Sequence, residues 1–280
     1  MEPLTRSTLA TRPRLSRRTK WILGGGVLAA LVAAIAFWKR EEITVLVDKA
    51  VAFGQEGLFA AALPLNVAKY AAYILVSARR YDVSPWALAG IMYRESSGGL
   101  ALTPPGPGGT GDFAKRAAGW KSGAYTAPAT GMPEDGRGWG RGLMQIDFGV
   151  HNDWVTTHNW ADPAVNVDKG ASLLAENMRF FQRPAAGGVT VASWRLTGYP
   201  AAKVAGWRTK YGLQSTGPFS DPRPLSGSAL AEAAVAAYNA GTSGVLQALA
   251  AGLPASAPTA KNDYAAWIAE RVGSWAAKFA

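Results

Sequence analysis

Cysteine is absent from the 280 residues, which excludes disulfides, thiolate metal sites and a cysteine nucleophile. Histidine is nearly absent. His151 and His158 are the only two, too few for a conventional multi-histidine zinc site, so no metal and no cofactor is expected. The chain also lacks the G-x-S-x-G elbow of a serine hydrolase and any G-x-x-x-x-G-K-[ST] phosphate loop. No internal repeat occurs. Acidic residues are the scarcer charge, 19 against 29 basic ones.

The resulting net charge of +10 raises the question of a nucleic-acid partner. Its distribution answers against one. Residues 1–40 hold Arg6, Arg12, Arg14, Arg17, Arg18, Lys20, Lys39 and Arg40 against Glu2 alone, a local +7. Residues 41–280 keep only +3, too weak an excess for a dedicated nucleic-acid surface and compatible with an anionic substrate.

What the N-terminus does have is an uncharged apolar run at 21–38, WILGGGVLAALVAAIAFW. Its length approaches the ~20 residues that a helix needs to span a bilayer. The basic flank before it places the N-terminus in the cytoplasm and everything after residue 40 outside. Gly24, Gly25 and Gly26 make it a weak span. A cleaved signal peptide is the alternative, because Ala34-Ile35-Ala36 has the small-x-small pattern of a cleavage site. An uncleaved transmembrane anchor is the favoured reading, and a buried core helix the least favoured.

The chain therefore divides into a basic segment (1–20), a transmembrane or signal-anchor helix (21–38), a linker helix (39–64) and one domain (65–280) with insertions at about 98–138 and 183–228. With 49% hydrophobic residues, such a domain can bury a substantial core. From Leu65 to Arg80 the spacing of Val67, Tyr70, Tyr73, Ile74 and Ala78 predicts one face of a helix. Ser84-Pro85 predicts an N-cap and first turn for the apolar helix WALAGIMY. Residues 98–142, rich in Gly and Pro, read as irregular. A helix is expected from Val165 to Phe181, a short strand within 188–194, and two further helices at 229–248 and 263–279.

Arg94-Glu95-Ser96 closes the apolar helix, at the edge of the core. Desolvation there raises a carboxyl's pKa, which is what a general acid working near neutral pH requires. The plainer reading is a surface Glu in the last turn, paired with Arg94 or a neighbouring helix. Two further motifs follow in order, Gly140-Arg141-Gly142-Leu143-Met144-Gln145-Ile146-Asp147 and Ala237-Tyr238-Asn239-Ala240-Gly241. Together with the Glu-Ser that ends a helix, this ordered set resembles the lysozyme-like superfamily of goose-type lysozymes and soluble lytic transglycosylases. The GLMQID sequence followed by His151, and the stretch Asn262-Asp263-Tyr264-Ala265, resemble the goose-type branch.

The resemblance covers roughly residues 66–280 and implies a mainly α fold, the α+β lysozyme-like fold, with a small β element near the active site. It implies a muramidase that cleaves the β-1,4 bond between N-acetylmuramic acid and N-acetylglucosamine in peptidoglycan glycan strands. Glu95 matches the catalytic acid and Asp147 a carboxylate that positions water. Asp135 is the candidate for a second such aspartate, with Glu134 as its alternative. Ser96, Met144, Gln145, Ile146, His151, Tyr238, Asn239 and Tyr264 fall at substrate-groove or site-neighbour positions.

Plainer roles stand beside these: a turn residue for Asp147, core for Met144 and Tyr238, packing for most tryptophans. A lytic transglycosylase, using Glu95 as acid and then base and leaving 1,6-anhydro ends, is the alternative activity. A non-catalytic wall-binding protein and a membrane-active peptide built on residues 1–40 are the remote ones. The implied location is a single-pass inner-membrane protein with its domain on the periplasmic side, or an exported or phage-associated one.

Overall fold

The computed structural model describes residues 56–185 and 219–277, with positions 190, 191, 205, 206 and 209 between them. The basic segment, the apolar run at 21–38 and the linker up to residue 55 lie outside the described residues, as does most of the insertion at 183–228. Among the described residues, no helix is long and apolar enough to cross a membrane.

The compact unit begins at Glu56, earlier than the boundary at 65 that periodicity suggests. Residues 56–62 are helical. They set Phe59 edge-on against Trp86 at 4.7 Å and bury Ala62 completely. The single helix expected at 65–80 is two, α1 (Leu65–Ala68) and α2 (Ala71–Tyr81), because Tyr70 leaves helical geometry between them. Val67, Tyr70, Ile74 and Ala78 are buried as expected. Tyr73, 41% exposed, is not, since it lies beside the buried stripe of α2, which is Ala71, Ile74, Ser77 and Ala78.

Helix α3 (Pro85–Ser96) starts as its sequence dictates. The Ser84 hydroxyl accepts from the Ala87 N–H at 3.3 Å and Pro85 takes the first position. Leu88, Ala89, Gly90, Ile91 and Met92 are all buried, so α3 is the central helix. Gly90 allows the last helix to cross close by: a Cβ there would lie 2.6 Å from Ile268 Cγ2.

The segment read as irregular carries short strands. β1 (Thr110–Gly111) is followed by the hairpin β2 (Lys121–Ser122) and β3 (Tyr125–Thr126), then β4 (Gly140–Arg141) and β5 (Ile146–Asp147). β1, β4 and β5 form one antiparallel sheet in that order, with Gly111 opposite Gly140 and Gly140 opposite Asp147. Helices α4 (Asn152–Thr157) and α5 (Pro163–Gln182) follow, the latter capped by Asp162, whose carboxylate accepts from the Ala164 N–H at 2.7 Å. The short strand expected in the second insertion is β6 (Thr190–Val191), paired with β7 (Phe219–Ser220).

Helix α6 (Gly227–Ala250) lies along α5, and α7 (Tyr264–Ala276) packs on α3 and α6. Ala233, Ala234, Ala236 and Ala237 form the buried stripe of α6, small enough to bring α5 close. α6 bends at Gly241, whose φ of 73° suits glycine. The described residues are thus mainly helical, with a small β element.

Candidate functional site

Glu95 sits in the last turn of α3, where the helix emerges from the core. Its burial pushes the carboxyl pKa up, from 4.5 to about 7; the hydrogen bond from Tyr264 and the Arg94 charge oppose the rise, and Asp112 adds to it. The residue keeps part of its surface open. Glu95 therefore keeps its proton up to about pH 7 while part of its surface stays open to solvent.

Arg94 does not pair with Glu95. Its guanidinium bonds Asp263 at 2.6 Å and stacks on Trp267 at 4.6 Å. The partner of Glu95 is Tyr264, whose hydroxyl donates a short hydrogen bond to Oε1. Burial and the neighbouring Glu95 charge hold the Tyr264 hydroxyl well above its usual pKa, so it remains a donor.

The β4–β5 turn is fastened to this helix end. Ser96, fully buried, donates to Leu143 O at 2.7 Å and accepts from the Gly99 N–H at 3.1 Å. Ser96 thus braces the turn. Asn166 on α5 braces it from behind, accepting from Met144 N at 2.8 Å and donating to Arg141 O at 3.0 Å. The Tyr238 hydroxyl donates to Met144 O at 2.9 Å. Met144 and Ile146 bury their side chains fully or nearly so, and Met144 packs against Gly170. Gln145 adopts a left-handed φ of 49° and turns its amide back to donate to Gly142 O at 2.8 Å. Its Oε1 lies against both Gly111 and Gly140, where any Cβ would collide with it.

Asn239 accepts from the Ala260 N–H at 2.8 Å, fixing the chain that leads into α7 and so to Tyr264. Glu95, Ser96, Met144, Gln145, Tyr238 and Tyr264 are thereby brought together around one helix end and one turn.

The aspartates are placed differently. Asp147 is bound through both oxygens by Arg116, and its Oδ1 also accepts from the Val150 N–H at 2.9 Å, the turn-residue contact. Asp135 forms a two-pronged pair with the buried Arg141 at 2.8 and 3.0 Å and accepts from the Arg137 N–H. Desolvation alone would raise its pKa, but these bonds hold it below the usual carboxylate value. Glu134 accepts from the Tyr125 hydroxyl at 2.9 Å. His151 donates its backbone N–H to Asp147 O; burial and Lys169 lower its ring pKa, keeping it neutral.

Two residues outside the motifs complete the site. Arg116 packs over the rings of both Trp120 and Trp139, at 4.3 and 4.0 Å, and reaches Asp112 at 3.4 Å as well as Asp147. Asp112, the residue after β1, has φ of 53°. Neither carries a periodic signal, since both lie in the Gly- and Pro-rich stretch. Among the described residues, no group of His, Asp or Glu has the arrangement to hold a metal. The chain matches no family model and no curated protein.

Proposed function

We propose that the protein is a peptidoglycan-cleaving muramidase that breaks the β-1,4 bond between N-acetylmuramic acid and N-acetylglucosamine, with Glu95 as general acid. The observation that carries the reading is Glu95 itself: a solvent-reachable carboxyl at a helix end, its proton retained to about pH 7 by desolvation, with Tyr264 aimed at it. Such an acid protonates a departing glycosidic oxygen, a task an ordinary surface glutamate at neutral pH performs poorly. The substrate class comes from the ordered Glu-Ser, GLMQID and AYNAG motifs and their likeness to goose-type lysozymes. The lysozyme-like fold and a periplasmic domain anchored through residues 21–38 belong to the same proposal.

A second activity has an observation in its favour. Asp147 is engaged through both oxygens by Arg116, with Val150 on Oδ1, and Asp135 through both by Arg141, with Arg137 on Oδ1, so each would have to share its oxygens with a guanidinium to hold water. Without a base, Glu95 would act as acid and then base, with the sugar's 6-hydroxyl attacking to leave a 1,6-anhydro end. Digestion of purified sacculi by the full-length protein, with the released sugars identified by mass spectrometry, separates the two. Reducing muramic ends are the expected product, and 1,6-anhydro ends would transfer the assignment to lytic transglycosylation. Undiminished release by Glu95→Gln would refute both.

A further inference from the structure

The charge beyond residue 40 is unevenly spread. Residues 41–280 carry a net +3, and residues 57–81 supply all of it, with Lys69, Arg79 and Arg80 and no acidic residue. All three side chains are exposed. The same stretch also leaves apolar surface open. Of the seven large hydrophobic residues exposed among the described residues, four belong to it: Leu58, Leu65, Tyr73 and Val76. Apolar residues scattered singly over a surface need no explanation, but their concentration among basic residues does.

Helix α2 combines the two. Ala71, Ile74, Ser77 and Ala78 are buried, while Tyr73, Val76, Arg79 and Arg80 are exposed. Tyr73, Val76 and Arg80 edge a cavity of about 660 Å³ that Trp154, His158 and Lys169 also line. Lys169 sits over the Trp154 ring at 5.9 Å. Arg80 bonds Asp168 at 2.7 Å yet keeps 60% of its side chain exposed. Aliphatic, aromatic and basic side chains together on an exposed helix surface are the composition that settles into a lipid headgroup layer.

We propose that this surface of α2, with the basic residues around it, docks on an anionic phospholipid bilayer. The inference rests on the anchor proposed at residues 21–38 and is independent of the chemistry of Glu95. That anchor ends 17 residues before Glu56, so the chain between them reaches at most about 60 Å. The first helices after it are the ones that carry the patch. Charge selects the lipid: each basic residue close to an anionic bilayer favours the bound position about fivefold.

Docking in this way leaves the candidate site free, because α5 stands between the two. Its Asn166 and Gly170 meet the β4–β5 turn that is fastened to the end of α3, whereas its Asp168, Lys169 and Ser172 line the cavity with α2. A domain resting on α2 turns Glu95 away from the lipid, toward a wall outside the membrane.

The test uses the full-length protein reconstituted in vesicles. The chain has no cysteine, so Val76→Cys on α2 and Ala266→Cys on α7 each create one labelling position, exposed in both cases. Each carries the same environment-sensitive fluorophore. The vesicles are phosphatidylcholine with or without about one-third phosphatidylglycerol, and contain a nitroxide-labelled lipid as quencher. On the anionic vesicles the 76 probe should be quenched and the 266 probe should not. Replacing Lys69 and Arg79 together by Gln should weaken docking about 25-fold at unchanged Tm, and high salt should release the probe in the same way. Equal quenching of the two probes, or undiminished docking of the double Gln variant, would overturn the inference. So would shielding of the 76 probe that follows protein concentration, the mark of a second copy, or that appears only with added sacculi, the mark of a wall polymer. Flotation on vesicles without phosphatidylglycerol reports the anchor separately. Protein that floats there yet keeps its 76 probe unquenched on anionic vesicles refutes the docking surface alone; protein that does not float there refutes the anchor, and the inference with it.

Discussion

Replacing Glu95 by Gln should make the protein more stable, and only above the pH where the carboxyl would ionise in an unfolded chain. The folded pKa of about 7 stands against an ordinary 4.5. Each pH step between them represents about 1.4 kcal/mol of preference for the neutral form, about 3 kcal/mol in all. Between those values the folded chain binds the proton and the unfolded chain does not, so stability falls as pH rises from 4.5 to 7 and is level beyond. Below 4.5 the two variants should match, because Gln has the shape of protonated Glu and its carbonyl still accepts from Tyr264. Above pH 7 the Gln variant should gain about 3 kcal/mol, a rise in Tm of roughly 6–12 °C at about 2–4 °C per kcal/mol for a domain of this size. Calorimetry of both proteins at pH 4, 6 and 8 measures the difference directly, and titrations common to both cancel. A Tm difference that does not change between pH 4 and pH 8 would refute the desolvated acid, and with it the chemistry built on Glu95.

Tyr264→Phe removes the bond that favours ionised Glu95. A hydrogen bond to a charged group contributes about 1.5–3 kcal/mol, so the basic limb of the pH–activity profile should move up by about 1–2 pH units; a limb that stays or falls contradicts the assignment. Gly170→Ala would place a Cβ 2.6 Å from Met144 Cε and 2.8 Å from its Cγ. Overpacking of about 1–3 kcal/mol should outweigh the helix-propensity gain of about 1 kcal/mol. A lower midpoint in urea at unchanged slope is expected, together with reduced activity, since Met144 O anchors Tyr238; a raised midpoint would show that the turn yields freely.

Local pattern alone revealed the Ser84 cap, the apolar run of α3, the placement of Glu95 at its end and the approximate spans of α5, α6 and α7. Each depends on neighbours within a few turns, and periodicity reports which helix face is buried. The GLMQID turn was legible too, although its side chains proved to be braces: Met144 and Ile146 are core, and Ser96 locks the turn to the helix.

Tertiary structure decided the rest. Tyr73 faces outward, beside the buried stripe with which its spacing had grouped it. Tyr264, 169 positions from Glu95, became its direct partner because α7 crosses α3 at Gly90. Asp112 and Arg116 lie in a stretch with no hydrophobic period, and only the pairing of β1 with β4 brings Asp112 to the same end of the sheet as Asp147. Which carboxylates are ion-paired was equally invisible in sequence, since a guanidinium contributed from 31 residues away engages both oxygens of Asp147. The sequence by itself determined the helices and the place of Glu95 at a helix end, because both depend on neighbours within a few turns; the fold determined the burial and the partners of Glu95, because packing, charge pairing and strand register act between segments distant in the chain.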